Sequence, residues 1–445
     1  MPNSTNQSIR PLSCRTNEAG HLEIGGCDTV ELAKEYETPL YVIDEFTLRS
    51  ICRDYKKAFS SYKKVNMMYA SKALCSMGTS AIIAQEGFGF DVVSAGEIYT
   101  VYKSGVDMQK VLFNGNNKSV RELNLALKLN VGRISADNFL ELARLNELAK
   151  KQNKVANILL RITPGIECHT HEYIQTGHLD SKFGFDLTQI DEAVELIQNK
   201  YTNLKLHGLH AHIGSQIFET KVYEDEIEIL VKEVARLDEK FNIKLDEINI
   251  GGGLGVKYTE NDVPPSVYDI ADIILKALKK AVEKYKIDEP SLFLEPGRSI
   301  ISTAGVTLYS IGSSKQVPKG KKYIAVDGGM ADNARPSMYQ AEYSAILANK
   351  PDLKPSQTVT IAGRFCESGD ILIQNINLPN TVENDILCVF NTGAYNYSMA
   401  SNYNRVEKLA TVLVNNSQSD IIIKRESLDD LIAHDRIPDR LRADV

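Results

Sequence analysis

Eight short apolar runs alternate with longer amphipathic segments between about residue 64 and residue 298, and this alternation constrains the fold more than any other feature. An apolar run followed by a helix-period segment is typical of a βα unit whose strand is buried in a parallel sheet. The predicted strands are Val65–Ser71, Gly89–Ser94, Val111–Asn114, Gly132–Asp137, Ala156–Thr163, Lys205–Ile213, Glu247–Gly251 and Ser291–Glu295. Eight such units in succession predict a (β/α)8 barrel of the α/β class.

The chain beyond Arg298 has a different pattern, in which short alternating runs such as GVTLYSIGS, QTVTIAG and DILCVFNTG are separated by turn residues. This pattern predicts a second, all-β domain of the β-sandwich or barrel-like type. The N-terminal runs HLEIGG and TPLYVIDE are also strand-like, which favours their recruitment into the same domain. The predicted division is an N-terminal segment 1–43 that joins the β domain, a barrel over 44–300 and the β domain over 301–445.

The charge balance limits the kind of partner that the chain can bind. It carries 51 Lys and Arg against 58 Asp and Glu, with a formal net charge of −7 and no long block of one sign. Nucleic-acid and membrane-surface binding both need clustered basic residues, so we predict a small-molecule partner, with no nucleic acid and no membrane. No apolar run reaches the roughly 18 residues that a membrane-spanning helix needs.

The seven cysteines are scattered without a CxxC pair, which fits neither a disulfide framework nor a zinc ribbon. This usage indicates a reducing compartment. The N-terminus lacks the apolar core of a secretory signal, so we predict a cytoplasmic protein. The Ser- and Asn-rich start, with Arg10 and Arg15 and no acidic residue before Glu18, leaves an organellar transit segment as the alternative.

Polar side chains stand where the predicted barrel strands end, which is where barrel enzymes build their active sites. Lys72 ends the first strand, Asp91 lies in the second, His212 ends the sixth and Glu295 ends the eighth. A lysine among apolar residues can simply extend to solvent or form an ion pair. Inside a barrel mouth, however, burial would lower its pKa, as a Schiff-base amine requires.

The run INIGGGLG follows the seventh strand and brings three glycines whose backbone N–H groups can approach an anion. It is not a dinucleotide fingerprint, because Val256 stands where the last glycine would be, and no Gly-Lys-Ser/Thr follows it. Together with EPGRS after the eighth strand, it occupies the two loops that commonly bind phosphate in this architecture. The sequence therefore favours a phosphorylated ligand.

A lysine, a phosphate loop and a carboxylate at the end of the eighth strand together suggest pyridoxal phosphate. Lys72 would hold the aldehyde, the glycine loop the phosphate, and Glu295 the protonated pyridine nitrogen. His212 is placed to stack on the ring, with Ser215 near the phosphate. The alternative is that His207, His210 and His212 are core histidines or a metal cluster. No carboxylate ligand accompanies them in sequence, so we predict no metal.

A set of motifs occurs in order over nearly the whole chain after about residue 20. They are YASKAL around Lys72, FDVVSAGE at 90–97, HIGSQ at 212–216, GGGLG at 251–255, EPGRS at 295–299, GGMADNARPSMY at 328–339, CESGD at 366–370 and TGAYNYSMASNYN at 392–404. In these motifs the chain resembles the diaminopimelate decarboxylases, which belong to the alanine-racemase-like, fold-type III pyridoxal-phosphate enzymes. The last two blocks are far more specific than a glycine turn.

The resemblance implies a role for each matching residue. Lys72 would carry pyridoxal 5'-phosphate as a Schiff base, His212 would stack on its ring, and Glu295 would pair with the pyridine nitrogen. The other implied cofactor contacts are Asp91, Ser215, Gly252, Gly253, Gly297, Arg298 and Tyr395. The implied substrate contacts are Arg298, Arg335, Tyr339, Glu367 and Tyr395. Cys366 is the implied proton donor and enters with Glu367 from the other subunit, so a homodimer with active sites at its interface is implied as well.

The implied reaction is the decarboxylation of meso-2,6-diaminopimelate to L-lysine and CO2, the last step of lysine biosynthesis. Arg298 and Arg335 would offer planar forks to the distal carboxylate, and Glu367 would accept from the distal ammonium. The alternative is that both arginines form structural ion pairs. The segment Glu167–Thr176, which contains His169 and His171, looks like the region over the site in such enzymes.

Two rival functions stay open at this point. One is the decarboxylation of another diamino acid, such as D-lysine, D-ornithine or carboxynorspermidine, by the same fold and cofactor. The other is a non-catalytic carrier of the cofactor. Cys366 argues against a carrier, which has no need of a proton donor, and Arg335 discriminates between the decarboxylases because only diaminopimelate supplies a distal carboxylate.

Overall fold

The computed structural model describes residues 4–165 and 181–442. The described chain divides into two units that interleave along the sequence. One unit contains the N-terminus up to Leu12, Glu45–Ala304 and Gly393–Ser398. The other contains Ser13–Asp44, Gly305–Thr392 and the chain from Met399 onward. The predicted segment Glu167–Thr176 lies outside the described residues.

Eight parallel strands form the sheet of the first unit. They are Val65–Ala70, Gly89–Val92, Val111–Phe113, Arg133–Ala136, Ala156–Thr163, Leu204–His210, Glu247–Asn249 and Ser291–Leu294. Each strand pairs with the next in the chain, and the eighth pairs with the first through Leu292 and Val65, so the sheet closes. The predicted (β/α)8 barrel is confirmed, and a short strand, Phe185–Asp186, pairs beside the fifth.

Helices follow the barrel strands, and the longer ones cover the outside of the sheet. Glu45–Ala58 precedes the first strand, and Met77–Gln85, Ala95–Lys103, Val120–Lys128, Phe139–Lys151, Ile190–Asn199, Lys221–Phe241, Val267–Tyr285 and Arg298–Ile301 follow strands one to eight. Ser76, Ser94 and Ser119 each accept a hydrogen bond from a first-turn backbone N–H, which satisfies a donor left open at a helix start. None of the helices in the described ranges combines the length and apolarity that a bilayer crossing needs.

The barrel interior changes from apolar to polar along the strand direction. Met68, Leu112, Leu159 and Phe293 form an apolar cluster contributed by four strands. Because side chains alternate across a strand, the residues two positions further on face the same way. Asn114, Arg161 and Glu295 occupy those positions on three of the strands. Four residues from other strands complete a buried polar layer with them: Asp91, Ser135, His210 and Asn249. This polar layer lies toward the carboxyl ends of the strands, where a barrel site is expected.

The second unit is built on a nine-stranded sheet. Its strands are Leu40–Asp44, Gly305–Gln316, Lys322–Val326, Ala345–Leu347, Gln357–Ala362, Ile371–Leu378, Ile386–Phe390, Ala410–Asn415 and Gln418–Ile423. Leu40–Asp44 pairs antiparallel with Gly305–Gln316 and parallel with Ala410–Asn415, so an N-terminal strand lies inside the C-terminal sheet, as predicted. The second unit also contains a small sheet of Arg15–Thr16, Leu22–Ile24 and Cys27–Asp28, and the helices Thr29–Tyr36, Arg335–Tyr339 and Leu428–Ile432. A further short helix, Asn396–Met399, lies at the boundary between the two units in sequence.

Two segments far from the barrel in sequence are hydrogen-bonded into the barrel unit. Asn6 Nδ2 donates to the carbonyl of Gly255 at 3.1 Å. The backbone N–H of Tyr395 donates to the carbonyl of Ala73 at 2.7 Å. Residues 393–398 thus lie at the carboxyl end of the barrel, although they fall within the range 301–445 that the sequence divided off as the β domain.

Candidate active site

A pocket at the carboxyl ends of the barrel strands brings together most of the predicted cofactor residues. It is lined by Ala70, Lys72, His212, Ser215, Gly253, Leu254, Glu295, Gly297, Arg298, Ser299 and Tyr395. These residues come from the ends of strands one, six and eight, the loops after strands six to eight, and the segment 393–398. The closed barrel explains the convergence, because all eight strands end at one rim.

Lys72 lies in a single 3-10 turn, Ser71–Ala73, directly after the first strand. The carbonyl of Ala73 accepts hydrogen bonds from the N–H of Tyr395 at 2.7 Å and from Ser398 Oγ at 3.1 Å, which hold the turn in place. The Lys72 side chain is exposed, so the burial of this amine that the sequence predicted is not found. The strand ends before Lys72, and the amine therefore projects from the rim of the barrel into the pocket.

Glu295 is a buried carboxylate, 7% exposed, with its two oxygens in different surroundings. Oε1 accepts from Asn249 Nδ2 at 2.7 Å and from Asn114 Nδ2 at 3.1 Å. Oε2 lies 3.5 Å from His210 Nε2. Burial raises the pKa of Glu295, but hydrogen-bond donation from the His210 side and from the Asn249 amide opposes burial, and the pKa lies well below its usual range. Glu295 is therefore ionised at neutral pH.

Asp91 shares a hydrogen-bond donor with Glu295 and takes the opposite protonation state. Asn114 Nδ2 also donates to Asp91 Oδ1, at 2.6 Å. Burial raises the pKa of Asp91 to about 8, and the negative charge of Glu295 adds to this effect while Lys72 opposes it. Two carboxyl groups this close cannot both ionise easily, so Asp91 keeps its proton while Glu295 carries the charge.

We expect the Asp91→Asn variant to gain stability over the wild type as the pH rises. The folded protein keeps the Asp91 proton up to about pH 8, whereas an unfolded chain releases it near about pH 4. Raising the pH through this window therefore favours unfolding of the wild type, by up to about 1.4 kcal/mol per pH unit. The Asn side chain accepts the same hydrogen bond from Asn114 and has no proton to lose.

The measurement is the melting temperature of both proteins between about pH 5 and pH 8, taken by scanning calorimetry. The gap between the variant and the wild type should widen steadily over this range. Asp288→Asn is the matched control, because Asp288 is 94% exposed. The difference in melting temperature between this variant and the wild type should stay constant over the same pH range. Parallel profiles for Asp91→Asn would show that the pKa of Asp91 is not raised.

His212 has a neutral ring in a fixed orientation. Burial lowers its pKa well below the ordinary value, and the positive charges of Lys72 and Arg161 lower it further. The N–H of Gly252 donates to His212 Nδ1 at 3.2 Å, so the ring hydrogen is on Nε2. A neutral imidazole held in this way offers a flat face to an aromatic ligand.

The glycines after the seventh strand form a cradle that larger residues would fill. A Cβ atom on Gly252 would lie 2.1 Å from the carbonyl oxygen of Glu295, and one on Gly251 would lie 2.5 Å from His212 Nδ1. Gly253 has a φ of +111°, and its Cβ would lie 2.7 Å from the carbonyl oxygen of Gly214. Only glycine fits these positions, and the backbone can thereby approach a phosphate closely. The backbone N–H groups of this loop, with the side chains of Ser215 and Arg298 in the same pocket, fit the phosphate of pyridoxal phosphate.

Arg298 is buried in the same part of the pocket and contacts hydroxyl groups. Its Nη2 donates to Ser215 Oγ at 3.0 Å and its Nη1 donates to Tyr258 Oη at 2.8 Å. The guanidinium carbon lies 4.8 Å from the centre of the Tyr395 ring. Among the residues that the structure describes, no carboxylate forms an ion pair with Arg298. The described residues therefore do not support the alternative that Arg298 forms a structural ion pair.

The predicted substrate and proton-transfer residues Arg335, Tyr339, Cys366 and Glu367 lie in the second unit. Arg335 is buried, with its guanidinium carbon 5.3 Å from the centre of the Tyr339 ring. Cys366 and Glu367 are exposed on a loop. Glu367 accepts a hydrogen bond from Tyr403 Oη, and Asn404 Oδ1 accepts from the Cys366 N–H at 3.1 Å.

Asp370 joins this loop to the motif that carries Arg335. Its carboxylate accepts from the backbone N–H groups of Met330 at 2.7 Å and Phe365 at 2.8 Å. Ser337 Oγ donates to the carbonyl of Gly369 at 2.8 Å. The CESGD block and the GGMADNARPSMY block, which lie about thirty residues apart in sequence, are therefore one structural feature of the second unit.

Sequence reasoning missed four residues that surround the predicted ones. Asn114 and Asn249 donate to Glu295, Tyr258 accepts from Arg298, and Arg161 lies buried in the polar layer. The rule that polar residues at strand ends build the site would have found Asn114 and Asn249, because both stand at the end of a barrel strand. Tyr258 lies in a loop and carries no such signal.

The histidine alternative also needs correction. The sequence placed no carboxylate beside His207, His210 and His212, but the fold places Glu295 3.5 Å from His210 and Asp246 3.6 Å from His207. His207, Asp246 and Glu247 lie close enough together that their side chains could in principle share a metal ion. Glu247, however, already accepts two hydrogen bonds from Arg133, at 2.5 Å and 2.8 Å. This group is an ion-pair cluster at the amino end of the barrel.

Residues 48–302 match the family model described as "Pyridoxal-dependent decarboxylase, pyridoxal binding domain". A diaminopimelate decarboxylase from Synechocystis is 47% identical over 98% of this chain and 95% of its own. One from Bacillus subtilis is 45% identical over 95% and 96%. The solved diaminopimelate decarboxylase from M. jannaschii in complex with L-lysine superposes with a TM-score of 0.92 at 33% identity, covering 98% of this chain and 100% of that one.

The barrel, the lysine at the end of its first strand and the glycine cradle define a pyridoxal-dependent decarboxylase of the (β/α)8-barrel class. Identities of 47% and 45% with two diaminopimelate decarboxylases, over almost the whole length, show which family within this class the chain represents. The chain belongs to the diaminopimelate decarboxylase family.

Proposed function

We propose that this protein decarboxylates meso-2,6-diaminopimelate to L-lysine and CO2 with pyridoxal 5'-phosphate, the last step of lysine biosynthesis. The observation that carries the proposal is the convergence of Lys72, an ionised Glu295 and Arg298 in one pocket at the barrel rim. The substrate assignment is supported by the relatives, two of whose solved structures are described as complexes with L-lysine.

The pocket supplies a partner for each part of the cofactor. Lys72 would hold the aldehyde carbon, His212 would lie against the ring, and Glu295 would accept the hydrogen of the pyridine nitrogen. The phosphate would lie among the residues Ser215, Gly252, Gly253, Gly297, Arg298 and Tyr395. When bound, the protonated ring withdraws the electron pair that the departing CO2 leaves behind.

The carboxyl groups of the chain control where the protons are. An ionised Glu295 stabilises a proton on the ring nitrogen, which it could not do if burial had left it neutral. Asp91 stays protonated beside it, so it adds no second negative charge to compete for that nitrogen. The neutral ring of His212 places no positive charge against the ring face.

Arg298 and Arg335 divide the anionic groups of cofactor and substrate between them. Arg298 contacts Ser215, which belongs to the phosphate site, and this geometry supports a contact with phosphate more than one with substrate. Arg335 is buried beside Tyr339 and is left as the partner of the distal carboxylate, with Glu367 accepting from the distal ammonium. A substrate without that carboxylate would leave a buried guanidinium unpaired.

The proton for the carbon that has lost CO2 would come from Cys366. Cys366 and Glu367 are exposed on their own chain, which suits residues that complete the site of a partner subunit in a homodimer. The loop that carries them is held by Asp370 and Asn404, so the thiol is presented in a fixed place. No disulfide joins the six cysteines of the described chain, which is typical of a reducing compartment and supports a cytoplasmic location.

The test is CO2 release by the purified protein with added pyridoxal phosphate. We expect kcat/KM for meso-diaminopimelate to exceed the values for L-lysine, D-lysine, L-ornithine, D-ornithine and carboxynorspermidine by about 10⁴-fold, since each of these lacks the distal amino-acid group. A preference for one of the others would contradict the assigned substrate while leaving fold and cofactor intact. Visible cofactor absorbance without CO2 release from any substrate would indicate a carrier.

A further inference from the structure

His210 is a buried histidine of the barrel interior to which the proposed mechanism assigns no role. It ends the sixth strand and is 0% exposed. Its Nδ1 lies 2.8 Å from Ser135 Oγ. Its Nε2 has no hydrogen-bond partner among the described residues, and it lies 3.5 Å from Glu295 Oε2. A buried polar atom without a hydrogen-bond partner destabilises the folded protein, so the position of Nε2 beside this carboxylate suggests a function.

The surroundings of Glu295 show which of its oxygens needs support. Oε1 is fixed by the two amides of Asn114 and Asn249, whereas Oε2 accepts from neither. Oε2 is thus the oxygen that remains for the ring nitrogen of the cofactor. His210 Nε2 is the one imidazole atom of the polar layer placed against Oε2 in the described chain.

Ser135 and Glu295 together favour the tautomer of His210 that carries its hydrogen on Nε2. A neutral imidazole donates from one nitrogen and accepts at the other. With the hydrogen on Nδ1, a lone pair on Nε2 would face the negative charge of Glu295. If the Ser135 hydroxyl donates to Nδ1, the hydrogen is on Nε2 and points to Oε2. Burial lowers the pKa of His210, so the ring is neutral and does not neutralise the carboxylate.

We propose that His210, oriented by Ser135, is a positioning residue that holds Glu295 Oε2 toward the cofactor ring nitrogen and thereby keeps that nitrogen protonated. This inference rests on the proposed function, because it acts through the pairing of Glu295 with the ring. It adds a pair of residues behind Glu295, from the fourth and sixth strands, that touch neither cofactor nor substrate.

The experiment compares holoenzymes reconstituted with pyridoxal phosphate that carries ¹⁵N in its ring. The variants are His210→Leu, which removes the donor, His210→Gln, which can place an amide donor near the position of Nε2, and Ser135→Ala. The control is His207→Leu on the same strand, whose Nε2 contacts Asn157 at 3.0 Å away from the polar layer. The readouts are the ¹⁵N chemical shift of the ring nitrogen and kcat.

For His210→Leu we expect the ¹⁵N shift to move toward the unprotonated value and kcat to fall by about 10-fold or more, as is typical when a group that supports a functional residue is lost. Ser135→Ala should move both in the same direction by less, and His210→Gln should restore most of the wild-type shift. If His210→Leu does not fold, Ser135→Ala carries the test, because it removes a single oxygen at a position 1% exposed.

The outcomes separate this inference from the function on which it rests. A protonated ring in the wild type, with His210→Leu and Ser135→Ala indistinguishable from His207→Leu, would overturn the role of His210 and leave the decarboxylase assignment standing. An unprotonated ring in a wild type that still releases CO2 would overturn the role of Glu295 and this inference together. A wild type without turnover would overturn the proposed function.

Discussion

The Lys72→Ala variant is expected to lose decarboxylation by about 10⁴-fold or more and to lose the visible absorbance of the lysine-bound cofactor. Lys72 is the lysine among the described residues that line the pocket. Lys118 is also buried in the barrel unit, but its ammonium is held by Glu141 at 2.8 Å and by the Ser135 carbonyl at 2.6 Å. No other amine of the described pocket can therefore take over the role of Lys72.

The control for this variant is Lys64→Ala. Lys64 precedes the same barrel strand at its amino end and donates to the carbonyl of Glu289 at 2.7 Å, so its loss should change neither absorbance nor turnover. Lys72→Arg keeps the positive charge without a nucleophilic amine and should behave like Lys72→Ala. Retention of the absorbance band in either Lys72 variant would show that the Schiff-base lysine is another residue.

The Arg335→Ala variant is expected to lower kcat/KM for meso-diaminopimelate by about 10³- to 10⁴-fold, with most of the loss in KM. A bidentate contact between guanidinium and carboxylate is planar and charge-assisted, so Arg335→Lys should recover only part of the activity. Arg335 is only 8% exposed, so its guanidinium is not simply a solvated surface charge.

Two measurements separate this role from a structural one. Arg364→Ala removes an exposed arginine of the same unit and should leave kcat/KM unchanged. Visible cofactor absorbance and melting temperature report whether Arg335→Ala is still folded and loaded. An unchanged KM in a folded variant would remove the argument for the distal carboxylate. A collapse of melting temperature with no selective loss for diaminopimelate would favour the alternative of a structural ion pair.

The barrel was predictable because its signal is local. Each strand is a short buried run and each helix an amphipathic segment, so the pattern is visible within about twenty residues at a time. The observed sixth strand, Leu204–His210, is three residues shorter at its end than the predicted Lys205–Ile213. Ala211–Ile213 continues the apolar alternation of the strand, so the sequence pattern predicts a longer strand. In the structure the strand has already ended there, and His212 lines the pocket.

Residues at strand ends were predictable for a related reason. Closing the barrel brings all carboxyl ends to one rim, so Lys72, His212 and Glu295 had to lie near one another once the fold was known. The same logic applied more strictly would have added Asn114 and Asn249. The roles of Arg335, Tyr339, Cys366 and Glu367 came from the resemblance alone, and they stay predictions, because these residues belong to the second unit.

Local patterns and motifs in the sequence are enough to predict the barrel, the all-β unit with its N-terminal strand, the family and the location of the site at the strand ends. Which carboxyl group is charged depends on tertiary contacts. Asn114 donates to Glu295 across 181 positions of sequence and to Asp91 across 23, so the fold brings the two carboxyl groups together. Burial and the charge of Glu295 then raise the pKa of Asp91, whereas hydrogen bonding from Asn249 helps to hold the pKa of Glu295 low against burial. Such contacts depend on distance and desolvation in three dimensions, which local sequence patterns do not encode.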